Sequence, residues 1–173
     1  MFVLSRDQTA QAVLPFDKNQ FADELAKQQI NQLYYSGQTG AGDELALSAQ
    51  SAVEGFDGQK MLEMRTVSAS IKGKNGLEIE ATAQFGQYLY SEKLLKMTGA
   101  VLISSSSGYK LSSPELRILT DGTYIFGEGP IEGLSPMGKI YAGRMEITRK
   151  NAKAPMQLWF GEKVVLDYEP SEI

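Results

Sequence analysis

The strongest constraint on the fold of this chain is a strict alternation of apolar and polar residues in short runs. In "LEIEATAQF", at residues 77–85, every apolar side chain has an odd number and every polar side chain an even number. The run "LALSAQSAV" at 45–53 also places Leu45, Leu47, Ala49 and Val53 on one parity, and "LKMTGAVLI" at 95–103 does so with Leu95, Met97, Gly99, Val101 and Ile103. Successive side chains of a β-strand point to opposite faces of its sheet, so this pattern predicts strands with one buried face.

Turn-forming sequences separate these runs at regular distances. They lie at 55–59, 73–76, 104–108, 120–122 and 135–138. A glycine also precedes several runs and recurs every 30 to 34 residues, at Gly42, Gly76, Gly108 and Gly138. A period of this length is typical of stacked units that bury a shared face. We therefore predict an all-β chain of antiparallel hairpins, with one strand out and one strand back in each unit.

The first 29 residues follow a different pattern. Residues 1–15 are polar with scattered apolar positions, which predicts a flexible arm. In "FDKNQFADELAKQQ", at 16–29, Asp17 is a suitable N-cap, and Phe21 and Leu25 fall near one helical face. This segment predicts a short helix. We expect an N-terminal arm over 1–29 and a single β domain over 30–170.

The chain contains no histidine and no cysteine, which excludes several classes of site. Ser-His-Asp and Cys-His catalysis, zinc or haem ligation through these residues, and thiol redox chemistry all need one of them. The remaining carboxylates, lysines, tyrosines and serines form no tight cluster in the sequence. We predict that the protein is not an enzyme, that it has no catalytic residues, and that it needs no metal or other cofactor.

The distribution of charge bears on partners. The net charge of −4 disfavours nucleic acid, whose binders usually carry a basic excess. Residues 91–153 nevertheless contain nine Lys/Arg and six Asp/Glu. Two explanations stay open: charges scattered over a solvated surface, or a basic rim for an anionic partner. No apolar run reaches the ~18–20 residues of a membrane-spanning helix. The opening "MFVL" could be the tail of an anchor outside this sequence.

One stretch comes close to a phosphate-binding loop. "GLSPMGKI", from Gly133 to Ile140, matches G-x-x-x-x-G-K-[ST] except at its last position. A P-loop needs a hydroxyl there and a helix afterwards, whereas "KIYAGRMEITR" predicts a strand. Pro136 and Gly138 suit a turn between two strands, and we interpret the stretch as a hairpin. Glu78 and Glu80 resemble a carboxylate pair, but their alternation with apolar residues predicts a solvated outer face.

The stretch "LLKMTGAVLISSSSGYKLSSPELRILTDGTYIFGEGPIEGLSPMGKIYAGRMEI", at 94–147, resembles the LptC family of lipopolysaccharide-export components. The elements that carry the resemblance are "LKMTGAVLI" at 95–103, "GYKLSS" at 108–113, "GEGPIEG" at 127–133 and "GKIYAGRMEI" at 138–147. The order and spacing of these elements are more specific than any one of them. The resemblance extends over roughly 30–170.

The resemblance implies a fold and a function. It implies an antiparallel sheet shaped like an open jelly roll or a twisted boat, with an apolar groove inside. It also implies a periplasmic carrier that accepts lipopolysaccharide from an inner-membrane ABC transporter and passes it to an LptA-like protein. Members are usually tethered to the inner membrane by one N-terminal helix. This sequence contains no such helix, so we expect either a tether outside it or an unanchored relative.

The parity within each strand predicts which side chains point into one shared interior, and the resemblance makes that interior the lipid-binding surface. The predicted residues are Ile79, Ala81, Phe85, Met97, Val101, Ile103, Leu111, Ile140, Met145, Ile147 and Phe160. Gly108, Gly133 and Gly138 are predicted to form structural turns.

The final segment "WFGEKVVLDYEP", at 159–170, predicts a last strand at the edge of the sheet. The resemblance implies that this edge docks onto an LptA-like partner by strand addition. The residues predicted for the partner edge are Val164, Val165, Leu166 and Tyr168.

An alternative stays open for the interior. The same alternating residues could fill an ordinary β-sandwich core, and the chain would then be a structural or adhesive β-module of the envelope. A lipid carrier should keep part of its inner face loosely packed and open to a hydrophobic dye. A densely packed sandwich core should exclude the dye.

Overall fold

A computed structural model describes residues 30–56 and 59–169, and this part of the chain forms one antiparallel sheet of ten strands. The strands are β1 (Ile30–Gln38), β2 (Glu44–Phe56), β3 (Lys60–Lys72), β4 (Glu78–Leu89), β5 (Leu94–Ser105), β6 (Lys110–Leu119), β7 (Tyr124–Ser135), β8 (Gly138–Thr148), β9 (Gln157–Gly161) and β10 (Val165–Tyr168). The all-β prediction is confirmed. The predicted arm and helix over 1–29 lie outside the described residues.

Each strand from β1 to β8 pairs with the next one along the chain. The last two strands both pair with the edge of β8 that faces away from β7. Phe160 of β9 lies opposite Met145, and Leu166 of β10 lies opposite Ile140. The sheet is therefore open, with β1 at one end and β9 and β10 at the other. This arrangement confirms the predicted open antiparallel sheet.

A line of irregular backbone crosses the middle of the sheet. In β2, β3 and β4, two consecutive residues face outward, namely Gln50–Ser51, Arg65–Thr66 and Gln84–Phe85. In β5 and β7, the register shifts against both neighbouring strands at the same level, near Gly99 and Gly129. We call this feature the bend line. Because the parity or the register changes there, both halves of each strand keep their apolar side inward.

The bend line explains why one interior prediction is wrong. Strict alternation from Ile79 through Ala83 predicts that Phe85 points inward. The inward parity instead passes from Ala83 to Gly86, and Phe85 lies on the outer face with 45% of its surface exposed. The guanidinium of Arg65 lies 5.6 Å from the centre of the Phe85 ring. A cation–π contact of this kind stabilises an aromatic ring at the surface.

The sheet curls so that turns from opposite strand ends meet. Thr39 in the β1–β2 turn lies against Gly122 in the β6–β7 turn, where an added Cβ would sit 2.6 Å from the Thr39 Cγ2 atom. Asp43, at the start of β2, forms an ion pair with Arg149, just after β8. The curled sheet encloses one apolar cluster with members from every strand of β1 to β8. This shape agrees with the predicted jelly roll or twisted boat.

The predicted turns lie at the ends of hairpins. β7 ends at Ser135 and β8 begins at Gly138, so the P-loop-like stretch is a β-hairpin, followed by a strand. Gly108 has a positive φ of 97° in the β5–β6 turn. Gly133 lies within β7 instead of in the turn. An added Cβ at Gly133 would collide with the carbonyl oxygen of Lys110.

Gly138 is the glycine whose replacement should disturb the sheet edge most directly. An added Cβ there would overlap the Asp167 carbonyl oxygen and lie 2.8 Å from the Glu169 nitrogen. We expect Gly138→Arg to force β10 away from β8 and to lower the free energy of unfolding by about 2–3 kcal/mol in a urea titration. Gly40→Arg is the control, because an added Cβ at Gly40 meets nothing within 4 Å. Equal unfolding midpoints for the two variants would contradict this role of Gly138.

Candidate functional site

The inner face of the curled sheet is the first candidate for a functional surface. Nine of the eleven residues predicted to line it are buried in one cluster: Ile79, Ala81, Met97, Val101, Ile103, Leu111, Ile140, Met145 and Ile147. Phe160 is half-buried and packs against this cluster, whereas Phe85 faces outward. The structure therefore brings ten of the predicted residues to one continuous apolar interior.

The interior is closely packed in this structure. Leu62, Met97 and Met145 have almost no exposed surface. These buried side chains leave no open space beside them, so an apolar guest must displace the groups that cover them. Met64, Met97 and Met145 are all buried members of the apolar cluster. Methionine is unbranched and polarisable and adapts to irregular spaces, so a lining rich in it can repack around a guest.

The second candidate surface is the free edge of β10. Glu169 donates its backbone N–H to Met137 at 3.2 Å, and the Asp167 carbonyl oxygen faces Gly138. Backbone groups alternate in direction along an antiparallel strand, so those of Val165 and Asp167 point toward β8. The N–H and C=O groups of Leu166 and Tyr168 therefore point away from β8, toward a side that pairs with none of the described strands.

The side chains of β10 extend the two faces of the sheet to this edge. Leu166 lies opposite the buried Ile140 and is 41% exposed, so it continues the inner face. Tyr168 shares this parity, whereas Val165 lies opposite the exposed Tyr141 on the outer face. The other predicted edge residue, Val164, lies just before β10 and is also exposed. An added strand would thus extend both the hydrogen bonding and the apolar inner surface.

A buried ion pair joins the walls at one end of the interior. The Arg149 Nη2 group donates to the Asp43 Oδ2 atom, and the two side chains are only 6% and 4% exposed. The Thr39 hydroxyl donates to the same carboxylate oxygen at 3.3 Å, and the Asp43 N–H donates to the Thr39 oxygen at 3.2 Å. This cluster fixes the β1–β2 turn against the end of β8.

Comparison with known protein families decides what kind of protein carries these surfaces. The model of the family described as "Lipopolysaccharide-assembly, LptC-related" matches residues 43–157, which is most of the sheet. The chain belongs to the LptC family. No curated protein is similar enough to count as a match.

Membership of the LptC family implies a role in lipopolysaccharide transport in the cell envelope. Members of the family are components of lipid transport and are not known as enzymes. An apolar inner surface and lipopolysaccharide binding are consistent with each other, because the lipid part of that molecule must be shielded from water. No helix within the described residues is long and apolar enough to cross a bilayer.

Two ionisable side chains of this LptC family member have a pKa that their surroundings shift. Burial favours the neutral form of Glu115, but hydrogen bonds from Arg117 at 2.6 Å and from Lys96 outweigh burial and lower its pKa. Burial, with smaller effects of Glu54 and Tyr88, raises the pKa of Tyr90 to about 12, so its hydroxyl stays neutral at physiological pH. Among residues 30–56 and 59–169, no group of three Asp or Glu residues could hold a metal ion.

Two features of the LptC-like site have no local signal in the sequence: the Asp43–Arg149 pair and the free backbone groups of β10. Asp43 and Arg149 are 106 residues apart, and no local pattern connects them. The sequence shows only that both residues lie near the ends of predicted strands. The direction of each backbone group in β10 also depends on its register with β8, which side-chain parity cannot report.

The buried pair yields a prediction about stability. We expect Arg149→Met to lower the free energy of unfolding by about 3–5 kcal/mol, because it leaves the Asp43 carboxylate buried without its partner. Adding Asp43→Asn should recover part of this loss, because the charge is then removed as well. Urea titrations of the four members of this double-mutant cycle provide the measurement.

The matched control for this cycle is Arg144→Met, within β8, the strand that ends just before Arg149. Arg144 is 48% exposed and lies 3.8 Å from Glu146, so its loss should cost less than about 1 kcal/mol. An Arg149→Met variant no less stable than Arg144→Met would show that the buried pair does not hold the walls together.

Proposed function

We propose that this LptC family member is a non-enzymatic periplasmic carrier of lipopolysaccharide. It accepts the lipid from an inner-membrane ABC transporter into the interior of the curled sheet and passes it to an LptA-like protein for assembly in the outer membrane. The observation that carries this proposal is the overlap between the family match, at 43–157, and the strands that enclose the apolar interior. A membrane tether outside this sequence stays a prediction.

The physical requirement of such a carrier agrees with the interior. Each CH₂ group kept from water is worth about 0.8 kcal/mol, so several acyl chains need a long apolar surface. The apolar cluster of the inner face runs across eight strands, from β1 to β8. Because the interior is packed, loading requires the walls to separate, and contacts between the walls are exchanged for contacts with acyl chains.

One observation favours a second candidate function. The close packing around Leu62, Met97 and Met145 is also what a permanent core would have. In that case the chain would be a structural or adhesive module of the envelope, and lipid would never enter. The two candidates differ in whether a molecule of lipopolysaccharide comes within reach of an inner-face side chain.

Photocrosslinking from neighbouring positions in β5 tests the carrier proposal. Ile103 is 4% exposed on the inner face, whereas Leu102 is 58% exposed on the outer face. A photoreactive amino acid at position 103 should form adducts with lipopolysaccharide in cells, and the same residue at position 102 should form few or none. The readout is the adduct band detected with antibodies against the protein and against lipopolysaccharide.

Folding has to be checked because a larger side chain inside a packed interior costs about 1–3 kcal/mol. Circular dichroism of both purified variants provides that check. If the folded position-103 variant gives no more adduct than the position-102 variant, the interior does not carry lipopolysaccharide and the structural candidate is favoured.

We also propose that β10 is the edge that meets the LptA-like protein. The N–H and C=O groups of Leu166 and Tyr168 that point away from β8 offer hydrogen bonds to an added strand. Their side chains lie on the inner-face side, so a partner strand there would continue the apolar surface from one molecule into the next. Lys163 precedes these residues and Asp167 lies between them, and charged side chains discourage indiscriminate pairing at an edge.

The register of β10 selects the residue with which to test this edge. Proline at Val165 would break the pairing between β10 and β8, because the Val165 N–H points toward β8. Leu166→Pro instead removes an N–H donor that points away from β8. We expect Leu166→Pro to weaken binding of an LptA-like partner about tenfold or more, since it removes one hydrogen bond and blocks close approach of the added strand.

Leu166→Ala is the matched variant, because it shortens the side chain and keeps the donor. It should weaken the interaction less than Leu166→Pro does in a titration with the purified partner. Circular dichroism shows beforehand whether both variants are folded. Equal affinities of the folded proline and alanine variants would exclude β10 as the docking edge.

A further inference from the structure

A cavity of about 430 Å³ lies where two turns meet the connection between β8 and β9. The β1–β2 turn contributes Asp43 and the β3–β4 turn contributes Lys74 and Asn75. The connection after β8 contributes Arg149, Lys153 and Met156. We call this cavity the turn pocket. It lies on the outside of the ion pair between Asp43 and Arg149, beside the apolar interior.

The turn pocket carries an excess of positive charge. Asp43 is the only acidic residue in its lining, and the Arg149 guanidinium already neutralises it. Lys74 and Lys153 are exposed, and neither forms an ion pair with any residue of the described ranges. The two ammonium groups therefore leave the pocket with a net charge of about +2, which favours an anion in it.

A glycine in the β1–β2 turn leaves room for one of these ammonium groups. The side chain of Lys74 lies across Gly42, where an added Cβ would sit 2.6 Å from the Lys74 Nζ atom. Gly42 also has a positive φ of 83°, a backbone conformation that residues other than glycine rarely adopt. The glycine in the β1–β2 turn thus leaves room for a lysine from the neighbouring turn. In this conformation the ammonium group of Lys74 lies at the edge of the pocket.

Arg149 supplies a second and independent observation. Its side chain is 94% buried and lines the pocket, yet its Nε atom has no hydrogen-bond partner among the described residues. Buried donors are nearly always paired, because an unmet donor loses its hydration without compensation. An acceptor with several oxygens, seated in the turn pocket, would bring negative charge beside this guanidinium. Arginine and lysine together are the residues that commonly bind phosphate groups.

The pocket also touches the interior. Met156 lines it and at the same time packs against the apolar cluster. A molecule with a phosphate group in the turn pocket could therefore place an acyl chain past Met156, between the walls of the sheet. This combination of a cationic pocket and an adjoining apolar space suits an amphiphile with a phosphorylated head.

We propose that the turn pocket, through Lys74 and Lys153, binds a phosphate group on the head of the lipid whose acyl chains enter the interior. The lipid part of this proposal rests on the proposed carrier function, whereas the anion site does not. The same phosphate chemistry could come from the lipid head or from a free phosphate, and the two sources are separated by experiment.

The test uses the whole chain and the double variant Lys74→Gln/Lys153→Gln. Affinities are measured by titration with diphosphorylated lipid A, with the same lipid after removal of its phosphates, and with inorganic pyrophosphate. Lys110→Gln/Lys93→Gln is the control, because it removes the same charge from two exposed lysines outside the pocket. We expect the pocket variant to bind diphosphorylated lipid A about tenfold more weakly, as the loss of two partly exposed charge contacts implies.

Three further results are expected. The affinity for dephosphorylated lipid should be unchanged in the pocket variant. The control variant should bind diphosphorylated lipid A as the parent does. The difference between parent and pocket variant should shrink in 1 M salt, where the screening length falls to about 3 Å. Lysine-dependent binding of pyrophosphate alone identifies a site for free phosphate, and its absence identifies a site for the lipid head.

The proposal is overturned if the pocket variant binds both phosphorylated probes as tightly as the parent, or if the control variant loses as much affinity. Failure of the carrier function gives a different result. In that case the parent would not take up dephosphorylated lipid or a neutral hydrophobic dye, while pyrophosphate would still bind in a manner that depends on Lys74 and Lys153.

Discussion

The bend line is the constraint on which the rest of this structure depends. A flat sheet of long strands with one apolar face would leave that face in water. Here the parity or the register changes near the middle of each strand from β2 to β8, at the same level in neighbouring strands. Both halves of the sheet then turn their apolar residues toward each other. The cost is a band of outward polar side chains, in which Thr66 donates to the Gln50 side chain at 3.1 Å.

The bend leaves two edges free and brings distant turns together, and each consequence bears on the proposed function. The free edge of β10 offers backbone groups to a partner strand, while Leu166 and Tyr168 keep their side chains on the inner-face side. The meeting of turns creates the buried pair of Asp43 and Arg149 and the cationic pocket outside it. The pair joins two turns at one end of the packed interior, so the proposed carrier function requires a sheet that can open without unfolding.

The fold class and most of the interior could be predicted from the sequence. Alternation identifies strands directly, because side chains change face at every residue. Ten of the eleven interior residues were found in this way, and the glycines that end the hairpins were found from turn chemistry. Phe85 was misplaced because the bend line adds a second outward residue, and alternation contains no signal for that. The pair of Asp43 and Arg149 was missed because contact between distant turns depends on how the sheet curls.

The sequence by itself determined the all-β class, the hairpin order and the family, since local alternation, turn residues and motif order are properties of neighbouring residues. Only the tertiary structure decided which way each half-strand faces, how tightly the walls pack, and which backbone groups of β10 remain free. These depend on register and curvature across the whole sheet. A shift of one residue at the bend line inverts the faces beyond it, and no single strand contains the information that fixes that shift.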